Sequence, residues 1–460
     1  MSKFNSKWGK DKIIKILEKG DAKIHFVGVG GVGMYSLFCL TSRLGFEVSG
    51  SDRERSRLAD TLISSGANVK IGHSAQNAVG KDLLVYTLAI DEDNPEIKVA
   101  EKHVIPAVSR AEYLGALMEK YRVRIGVSGT HGKSTVTAMI DGIFSEANKN
   151  PTTLCGAALP GISLPLRGGG EEYFIYEACE YKDSFLSFSP TVSVFTNLEL
   201  DHVDYLNNIE EIKDSFLKAM DLAEISVVNT DDENLCTLIS KTKSKVITFG
   251  EKQKADYRFC VLGNRRGFYS FEIFRGEKSV LKTELAVAGK FNVSNAVAAA
   301  VAALECGVST ENVKVALSSF SGIERRIEKI GSYKGTPVYY DYAHHPTEIE
   351  HSIKTVKEIT GGEVTVIFKP HTYSRTAGLM ADFVRALSLA DRVLLCEISA
   401  IREKEIPGVN SSRLAGMIGS MAKKISEENI TEELSDAPCD AIIIMGAANL
   451  DTVKEKIIGK

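Results

Sequence analysis

Short runs rich in valine and isoleucine alternate with longer stretches of helical periodicity along most of this chain. Alternation of this kind is typical of β-α-β units, in which helices cover a parallel sheet. The predicted strands span residues 24–29, 47–51, 83–87, 123–127, 173–177, 192–196, 226–229, 338–341, 364–368, 392–396 and 441–445. They are too many for the sheet of one domain, and a chain of 460 residues suggests about three domains.

One segment departs from this alternation. Between residues 256 and 287 apolar and polar residues alternate without helical spacing, and turns are predicted at Gly263-Asn264 and near Gly276. This pattern indicates an antiparallel meander at the edge of a central domain. The alanine-rich stretch that follows it, at 295–304, predicts a buried helix.

The composition narrows the class of function. Basic and acidic residues number 56 and 60, and the net charge of −4 offers no basic field for sequence-independent binding to nucleic acid. Eight cysteines without the spacing of a zinc knuckle or redox motif, and an N-terminus without the features of a signal peptide, predict a reduced, cytoplasmic chain. The apolar stretch at 24–42 contains four glycines, which favours a strand, turn and helix over a membrane span.

The first predicted strand leads into a glycine-rich turn and a helix. Its sequence GVGGVG matches the pattern G-x-G-x-x-G, in which a tight turn and helix amides receive a diphosphate. The predicted nucleotide-diphosphate site comprises Gly28, Gly30, Gly31, Gly33 and Asp52, with Asp52 placed where a carboxylate could meet a ribose hydroxyl. On their own these residues favour an NAD-dependent oxidoreductase. The alternative is that the glycines only pack the helix on the strand.

A second strand-to-helix junction follows residues 123–127. Its sequence SGTHGKST has the character of a phosphate loop, although Val127 stands where the general motif has its first glycine. Lys133 would bring a point charge to the β and γ phosphates, and the Ser134 hydroxyl could bind Mg²⁺. The predicted triphosphate-binding residues of this loop are Gly129, Thr130, His131, Gly132, Lys133, Ser134 and Thr135. A turn that only caps the helix is the alternative.

Acidic residues and an imidazole follow the next two predicted strands. Glu177 ends one strand, and His202 lies in the segment NLELDHVD after the other. Because ligands collect at the carboxyl ends of parallel strands, we predict Glu177 and His202 as Mg²⁺ ligands together with Ser134. A solvated or capping role is equally consistent with the remaining acids, Glu180, Asp201 and Asp204.

Two nucleotide-type sites in one chain weaken the oxidoreductase hypothesis, because hydride transfer does not use a lysine and Mg²⁺ clamp on a triphosphate. ATP-driven chemistry on a nucleotide-linked substrate fits better. Over nearly the whole chain the motifs resemble those of the Mur ligases. In chain order, the segments that carry this resemblance are HFVGVGGVGM with SGSD, GTHGKST, EACEYKDSFL, NLELDHVDY, GKFNVSNA, GIERRIE, DYAHHPTEI, KPHTYSRT and EKEIPGV.

The resemblance implies an α/β protein of three domains. Residues 1–118 would form a Rossmann-like domain that binds a UDP-sugar. Residues 119–322 would form a P-loop ATPase-like domain with a parallel sheet and a small antiparallel sheet, and residues 323–460 a second Rossmann-like domain that binds the amino acid and closes over the site.

The reaction implied by the resemblance is ATP-dependent ligation of L-alanine to the lactyl carboxylate of UDP-N-acetylmuramate through an acyl phosphate. It would use Mg²⁺ and would belong to peptidoglycan biosynthesis. Only small molecules are expected as partners, without nucleic acid or membrane, and the expected assembly is a monomer or weak homodimer. Three alternatives are a ligase that adds another amino acid or a peptide, an NAD-dependent oxidoreductase, and a nucleotide-sensing regulator without turnover.

The resemblance also implies roles for residues of the later motifs. The implied ATP contacts are Asn292 and Asn295 for the adenine, Arg326 for a phosphate and Asp341 for the ribose. His371 and Arg375 would line the amino-acid site, where a guanidinium fork suits the L-alanine carboxylate. The residues expected to take part in catalysis are Lys133, His202, His344 and Arg375, with His202 or His344 as the base for the alanine ammonium.

The chain departs from the family pattern at three positions. Cys179 stands where an Asp is frequent, Thr372 replaces an Arg, and Asn449 lies where an acid is expected. Several family members carry a carbamylated lysine after the metal-binding histidine, and Lys213 and Lys218 are the candidates here.

Overall fold

The computed structural model describes residues 8–91, 93–200, 208–252, 254–400, 403–435 and 438–459. The strands form three sheets, each built from a successive part of the chain. An α/β architecture of largely parallel sheets is therefore confirmed. The boundaries predicted near Met118 and Gly322 fall in the connections between successive sheets, and the division into domains at these points stays a prediction.

The first sheet contains β1 (Lys23–Val27), β2 (Glu47–Asp52), β3 (Val69–Ile71), β4 (Leu83–Tyr86) and β5 (Ala107–Ser109). All five strands are parallel, in the order β3-β2-β1-β4-β5. Its helices are α1 (Lys10–Glu18), α2 (Val32–Arg43), α3 (Arg57–Ser64), α4 (Ala75–Ala78), α5 (Pro95–Lys102) and α6 (Arg110–Leu117). Because the strand order reverses at β1, the glycine turn after β1 lies where ligands bind in open α/β sheets.

The second sheet contains β6 (Val123–Ser128), β7 (Thr152–Leu154), β8 (Leu166–Arg167), β9 (Tyr173–Glu177), β10 (Val192–Phe195), β11 (Ile225–Asn229), β12 (Lys245–Gly250), β13 (Tyr257–Arg265), β14 (Phe268–Arg275) and β15 (Lys278–Ala288). Their order is β15-β14-β13-β12-β11-β10-β6-β9-β7-β8. Its helices are α7 (Lys133–Glu146), α8 (Ile209–Asp221), α9 (Glu233–Ile239), α10 (Phe291–Glu305) and α11 (Thr310–Ser319). The phosphate loop joins β6 to α7, with β9 and β10 on either side of β6.

The predicted antiparallel meander is confirmed as β13, β14 and β15, which form one edge of this sheet. The turn predicted at Gly263-Asn264 is wrong, because β13 continues through a bulge there and ends at Arg265. The chain reverses at Arg266 and Gly267, both at positive φ, and the Gly267 amide donates to the Asn264 side chain at 2.7 Å. Asparagine at the first and glycine at the fourth position are typical of such a turn.

The third sheet contains β16 (Glu328–Tyr333), β17 (Thr336–Asp341), β18 (Val364–Phe368), β19 (Arg392–Leu395), β20 (Ala422–Lys424) and β21 (Ala441–Met445). The order is β16-β17-β21-β18-β19-β20, parallel except for β16. Its helices are α12 (Pro346–Thr360), α13 (Tyr373–Gly378), α14 (Met380–Leu387), α15 (Ser411–Ile418), α16 (Ile430–Ser435) and α17 (Asp451–Ile458). Both β17 and β18 end next to loops that carry predicted site residues.

The alanine-rich helix is confirmed as α10, whose middle is buried at every position from Ala296 to Ala303. Small side chains let it pack closely on α7, the helix that begins at the phosphate loop. The first turn of α10 therefore lies beside that loop. Among the described residues, no helix combines the length and the apolar character needed to cross a membrane.

Candidate active site

The phosphate loop is held by close contacts that only glycine permits. Gly129 and Gly132 adopt φ of +142° and +84°. A Cβ at Gly129 would lie 2.0 Å from the Thr196 Oγ1, and one at Gly132 would lie 2.6 Å from the Asn295 Oδ1. The loop is also tied to the end of β10, because the His131 amide donates to the Asn197 Oδ1 at 2.8 Å. These neighbours fix a backbone that resembles a phosphate cradle.

Lys133 is held by acceptors from its own loop and by one carboxylate. Its ammonium donates to the carbonyl oxygens of Gly129 and Thr130, the latter at 3.1 Å, and to Glu180 at 3.1 Å. Burial alone would lower the pKa of Lys133, but Glu180, Cys179 and Glu177 together outweigh burial and raise it above its ordinary value. The side chain therefore stays charged and poised at the loop.

Glu177 and Ser134, two of the three predicted metal ligands, lie near one another. Glu177 ends β9 directly opposite Val127 of β6, and so lies beside the start of the phosphate loop. The Cys155 thiol connects the two residues, since it donates to the Ser134 carbonyl at 3.6 Å and to Glu177 Oε1 at 3.4 Å. The third predicted ligand, His202, lies outside the described residues, as do Asp201 and Asp204.

The predicted adenine contacts occupy the first turn of α10. The Asn295 side-chain amide donates to the Asn292 Oδ1 at 3.1 Å, and the Asn292 amide donates to the Ala288 carbonyl at 2.7 Å. Both asparagines line a cavity of about 1320 Å³ that extends from the phosphate loop to the third sheet. Two oriented amides at its wall can offer hydrogen bonds to a planar base.

Arg326 and Asp341 reach the same cavity from the third sheet. Asp341 ends β17 and accepts backbone bonds from Ala343 at 2.7 Å and Ile327 at 2.8 Å. Burial raises the pKa of its carboxyl to about 6, although Arg326 opposes this. The segment is strained, because Arg325 and Ile327 both have positive φ on either side of Arg326. That conformation directs the chain so that Arg326 faces the phosphate-loop side of the cavity.

A network of acids and histidines connects the phosphate loop to the third sheet, and the sequence reasoning missed its two acids. His131 Nδ1 lies 3.3 Å from Glu348 Oε1, and His131 Nε2 lies 3.6 Å from Glu199 Oε2. Arg326 pairs with the same Glu348 oxygen at 3.3 Å. Burial opposes the charged imidazole, but Glu348 and Glu199 together raise the pKa of His131 to about 9. His131, Glu199 and His345 also group three ligand atoms within 4.8 Å, a geometry that could hold a metal ion.

Both missed acids carried a sequence signal. Glu348 lies three residues after His345, the residue that precedes α12, and forms a capping box with it, which is a recognisable pattern at a helix start. Glu199 belongs to the same NLELDHVD segment as the predicted ligand His202. Burial would raise the pKa of Glu199, but hydrogen bonding to His131 lowers it to about 2.

The three residues predicted for the amino-acid side lie together beyond this network. The rings of His344 and His371 are 6.1 Å apart, centre to centre, and His371 Nδ1 lies 3.0 Å from Arg375 Nη1. Arg375 is buried at the start of α13, which begins after β18. These contacts join two imidazoles and a guanidinium in the loops of the third sheet.

The glycine turn of the first sheet is closed by its own acid. Gly28 has φ of +90°, and its amide donates to the Ser51 carbonyl at 2.7 Å. The Gly30 amide donates to the Asp52 Oδ2 at 2.7 Å. Gly31 precedes α2, and Gly33 lies in its first turn. Asp52 therefore shapes the turn in this conformation, and its predicted contact with a substrate ribose stays a prediction.

Three family profiles match successive parts of the chain. They describe the Mur ligase family catalytic domain at residues 23–122, the Mur ligase middle domain at 127–303 and the Mur ligase glutamate ligase domain at 325–448. A Caldicellulosiruptor bescii protein named UDP-N-acetylmuramate--L-alanine ligase is 40% identical over 396 residues, which cover 85% of this chain and 87% of the relative. A protein of the same name from Clostridium acetobutylicum is 37% identical over 449 residues, covering 95% and 98%.

The chain belongs to the Mur ligase family. Its fold is similar to the crystal structure of a UDP-N-acetylmuramate-alanine ligase from Thermotoga maritima, with a TM-score of 0.80 and 28% identity over 95% of this chain and 98% of that one. A murein peptide ligase from Psychrobacter arcticus shares the fold, with a TM-score of 0.70 and 22% identity over 95% and 98%.

The three departures of this Mur ligase from its family pattern have distinct surroundings. Burial raises the pKa of the Cys179 thiol, so this position brings no carboxylate charge to the site. Thr372 adopts φ of +65°, and its hydroxyl accepts from the Arg375 amide at 3.4 Å at the start of α13. The Asn449 Oδ1 accepts from the Asp451 amide at 2.7 Å at the start of α17. Thr372 and Asn449 thus serve as helix-start residues.

Proposed function

We propose that this Mur ligase joins L-alanine to the lactyl carboxylate of UDP-N-acetylmuramate, with conversion of ATP to ADP and phosphate, in peptidoglycan biosynthesis. Relatives named for this reaction match most of the chain at 36–41% identity. The observation that carries the proposal is the convergence of the phosphate loop, Arg326 and Glu348 on one cavity. Family membership favours this reaction over the oxidoreductase alternative.

The reaction has two steps. The lactyl carboxylate attacks the γ-phosphorus of ATP, and the product is an acyl phosphate with release of ADP. The L-alanine amine then attacks the acyl carbon, and phosphate leaves with one oxygen of the original carboxylate. Lys133, the loop amides and Arg326 would hold the phosphates and offset their charge, which leaves the protein mainly a positioning task.

The residues around the phosphate loop fit Mg²⁺. The Ser134 hydroxyl and the Glu177 carboxylate are hard oxygen donors. Glu177 ends β9, and Ser134 lies in the first turn of α7, the helix that follows the neighbouring strand β6. Glu177 is held there by the Gly156 amide and the Cys155 thiol. With Ser134 and Glu177 as proposed ligands and His202 as the third, bound Mg²⁺ would supply charge neutralisation for the transferring phosphoryl group.

We assign the amino acid to the third sheet. Arg375 would bind the L-alanine carboxylate, and His371 orients its guanidinium. The proposed base is His344, whose Nδ1 faces the Tyr342 carbonyl at 3.0 Å. That contact favours the tautomer with a lone pair on Nε2, the form that accepts a proton from the alanine ammonium.

The proposed division of labour follows the three sheets. The glycine turn at Gly28–Gly33 would bind the UDP diphosphate, Asn292 and Asn295 the adenine, and Asp341 the ATP ribose. The substrates are small molecules. A monomer or weak homodimer and a cytoplasmic location stay predictions from the sequence.

The test is ADP release by the purified enzyme with Mg·ATP and UDP-N-acetylmuramate, measured with L-alanine, glycine, L-serine or D-glutamate. We expect sustained ADP release with L-alanine and a mass gain of the UDP-sugar that corresponds to one alanyl residue. Faster turnover with another amino acid, or with a peptide, would replace the substrate assignment. ADP release that does not depend on the UDP-sugar would contradict the proposal.

A further inference from the structure

Arg110 is a partly buried arginine that touches the glycine turn of the first sheet. It begins α6, where Ser109 and Glu112 form a capping box that fixes the helix start. A Cβ at Gly33 would lie 3.2 Å from both the Cδ and the Nη1 of Arg110. The last glycine of the turn therefore makes room for a guanidinium, in addition to its usual role in helix packing.

The same side chain faces the second sheet. Helix α6 packs directly on the segment Tyr181–Ser187, since a Cβ at Gly115 would lie 2.1 Å from the Ser187 carbonyl oxygen. That segment follows the strand end that carries Glu177 and Cys179, and both groups act electrostatically on Arg110. Arg110 thus lies between the proposed diphosphate turn and the proposed metal and phosphate site.

No described residue forms an ion pair with the guanidinium. Within the described part of the chain, its side chain makes no hydrogen bond and no ion pair. Burial lowers the pKa of Arg110, and the nearby Cys179 and Glu177 only partly oppose this. An arginine that is desolvated without a hydrogen-bonded partner is costly, whereas an oxyanion would satisfy its planar fork.

We infer that Arg110 binds an oxyanion of the nucleotide-linked acid and so sets its carboxylate against the phosphate loop. The inference rests on the proposed function, because it names a contact with the substrate of that reaction. Two groups of the substrate have the required chemistry, the diphosphate on the glycine turn and the lactyl carboxylate next to the phosphate loop. A guanidinium fork suits either one.

The test compares Arg110→Gln and Arg110→Lys with the wild type and with Arg43→Gln. Arg43 is a matched control, because it is exposed at the opposite end of α2 and its side chain donates to the Gly168 carbonyl. Calorimetry would measure the affinity for UDP, UDP-N-acetylglucosamine, UDP-N-acetylmuramate and Mg·ATP. We expect Arg110→Gln to weaken UDP-N-acetylmuramate binding about 10- to 100-fold, with Arg110→Lys intermediate and ATP affinity unchanged.

The ligands separate the two oxyanions. If UDP affinity falls by the same factor, Arg110 binds the diphosphate; if only UDP-N-acetylmuramate is affected, it binds the lactyl carboxylate. Equal affinities of wild type and Arg110→Gln for all UDP compounds would overturn the inference, as would an equal loss of ATP affinity or a lowered thermal midpoint, which would indicate a structural role. A wild type that binds none of the UDP compounds would contradict the proposed function itself.

Discussion

The two glycine-containing turns that we propose as anion-binding sites share a strand-turn-helix design and differ in how their cations are held. In the second sheet, Lys133 is bound by Glu180 and two loop carbonyls, and His131 lies between Glu199 and Glu348. At the turn of the first sheet, Arg110 lacks any such partner among the described residues. In the proposed function, ATP would therefore exchange with carboxylates at its loop, whereas the UDP-sugar would meet an arginine that has no ion-pair partner among the described residues.

This difference teaches that a shared turn does not set the energetics of a site. The backbone amides are similar in both, but the side chains that reach them come from other strands and helices. At the phosphate loop the cations are neutralised in the resting structure, which stabilises the protein without ligand. At the glycine turn, the charge of Arg110 would be neutralised only by the proposed substrate.

The largest expected effect comes from a substitution at the proposed ATP site. Lys133→Ala removes the ammonium from the phosphate loop, and we expect ADP release with all three substrates to fall at least about 10²- to 10³-fold, because one charge-stabilising donor is lost. Lys149→Ala, an exposed lysine just after α7, is the control and should retain full turnover. Retained turnover in Lys133→Ala would contradict the proposal that this loop binds the phosphates of ATP.

The carboxylate partner of Lys133 provides the next effect. Glu180→Gln leaves the ammonium partly buried without a matching charge, and we expect the free energy of unfolding to fall by about 3 kcal/mol in urea denaturation. ATP affinity should not fall, because the competing carboxylate is gone. The exposed ion pair of Arg122 and Glu172 supplies the control, since Glu172→Gln should cost less than about 1 kcal/mol. A parallel loss of ATP affinity would show that Glu180 serves the ligand directly.

The histidine between two acids predicts a pH dependence. The pKa of His131 is raised to about 9 from 6.5, so its stabilising contribution is complete below pH 6.5 and is lost as the pH rises through about 9. We expect the wild type to lose about 1 kcal/mol more unfolding free energy over this window than His131→Asn, after allowance for solvent screening of Glu199. His103→Asn, at an exposed histidine, should behave like the wild type. Identical slopes for wild type and His131→Asn would contradict the ion-pair network.

The smallest expected effect comes from a substitution at the proposed UDP site, and it tests the position of Arg110. Gly33→Ala places a methyl group 3.2 Å from the Arg110 side chain, which must shift, and we expect UDP affinity to fall about fivefold without change in ATP affinity. Gly142→Ala is the control, because it is also a helical glycine but has nothing within 4 Å of the added Cβ. An unchanged UDP affinity in Gly33→Ala would show that the position of the guanidinium is not restrictive.

Local patterns in the sequence predicted the elements and the two turns. Alternating valine-rich runs correspond to the parallel strands, and the stretch 295–304 lies within helix α10. Glycine at positions 129 and 132 indicated a phosphate loop, whose conformation the structure explains by contacts with Thr196 and Asn295. Such features depend on a few consecutive residues, and for that reason a single sequence suffices to find them.

Contacts between residues far apart in the sequence could not be predicted from such local patterns. Glu348 and Arg110 lie far along the chain from the groups they face, His131 and Gly33, and nothing in their own neighbourhood reveals those partners. The hairpin turn at Arg266 and Gly267 was missed for another reason, because the glycine at 263 is used in a bulge. Gly267, the glycine at which strand pairing places the reversal, was not among the turns predicted from the sequence.

The most direct test of the proposed chemistry follows an oxygen atom. UDP-N-acetylmuramate labelled with ¹⁸O in both oxygens of its lactyl carboxylate would be converted with ATP and L-alanine, and the released phosphate analysed by mass spectrometry. The account predicts one ¹⁸O atom in each phosphate, because the acyl-phosphate bridge carries a carboxylate oxygen into the leaving group. Phosphate without the label would contradict an acyl phosphate formed at the Lys133 loop.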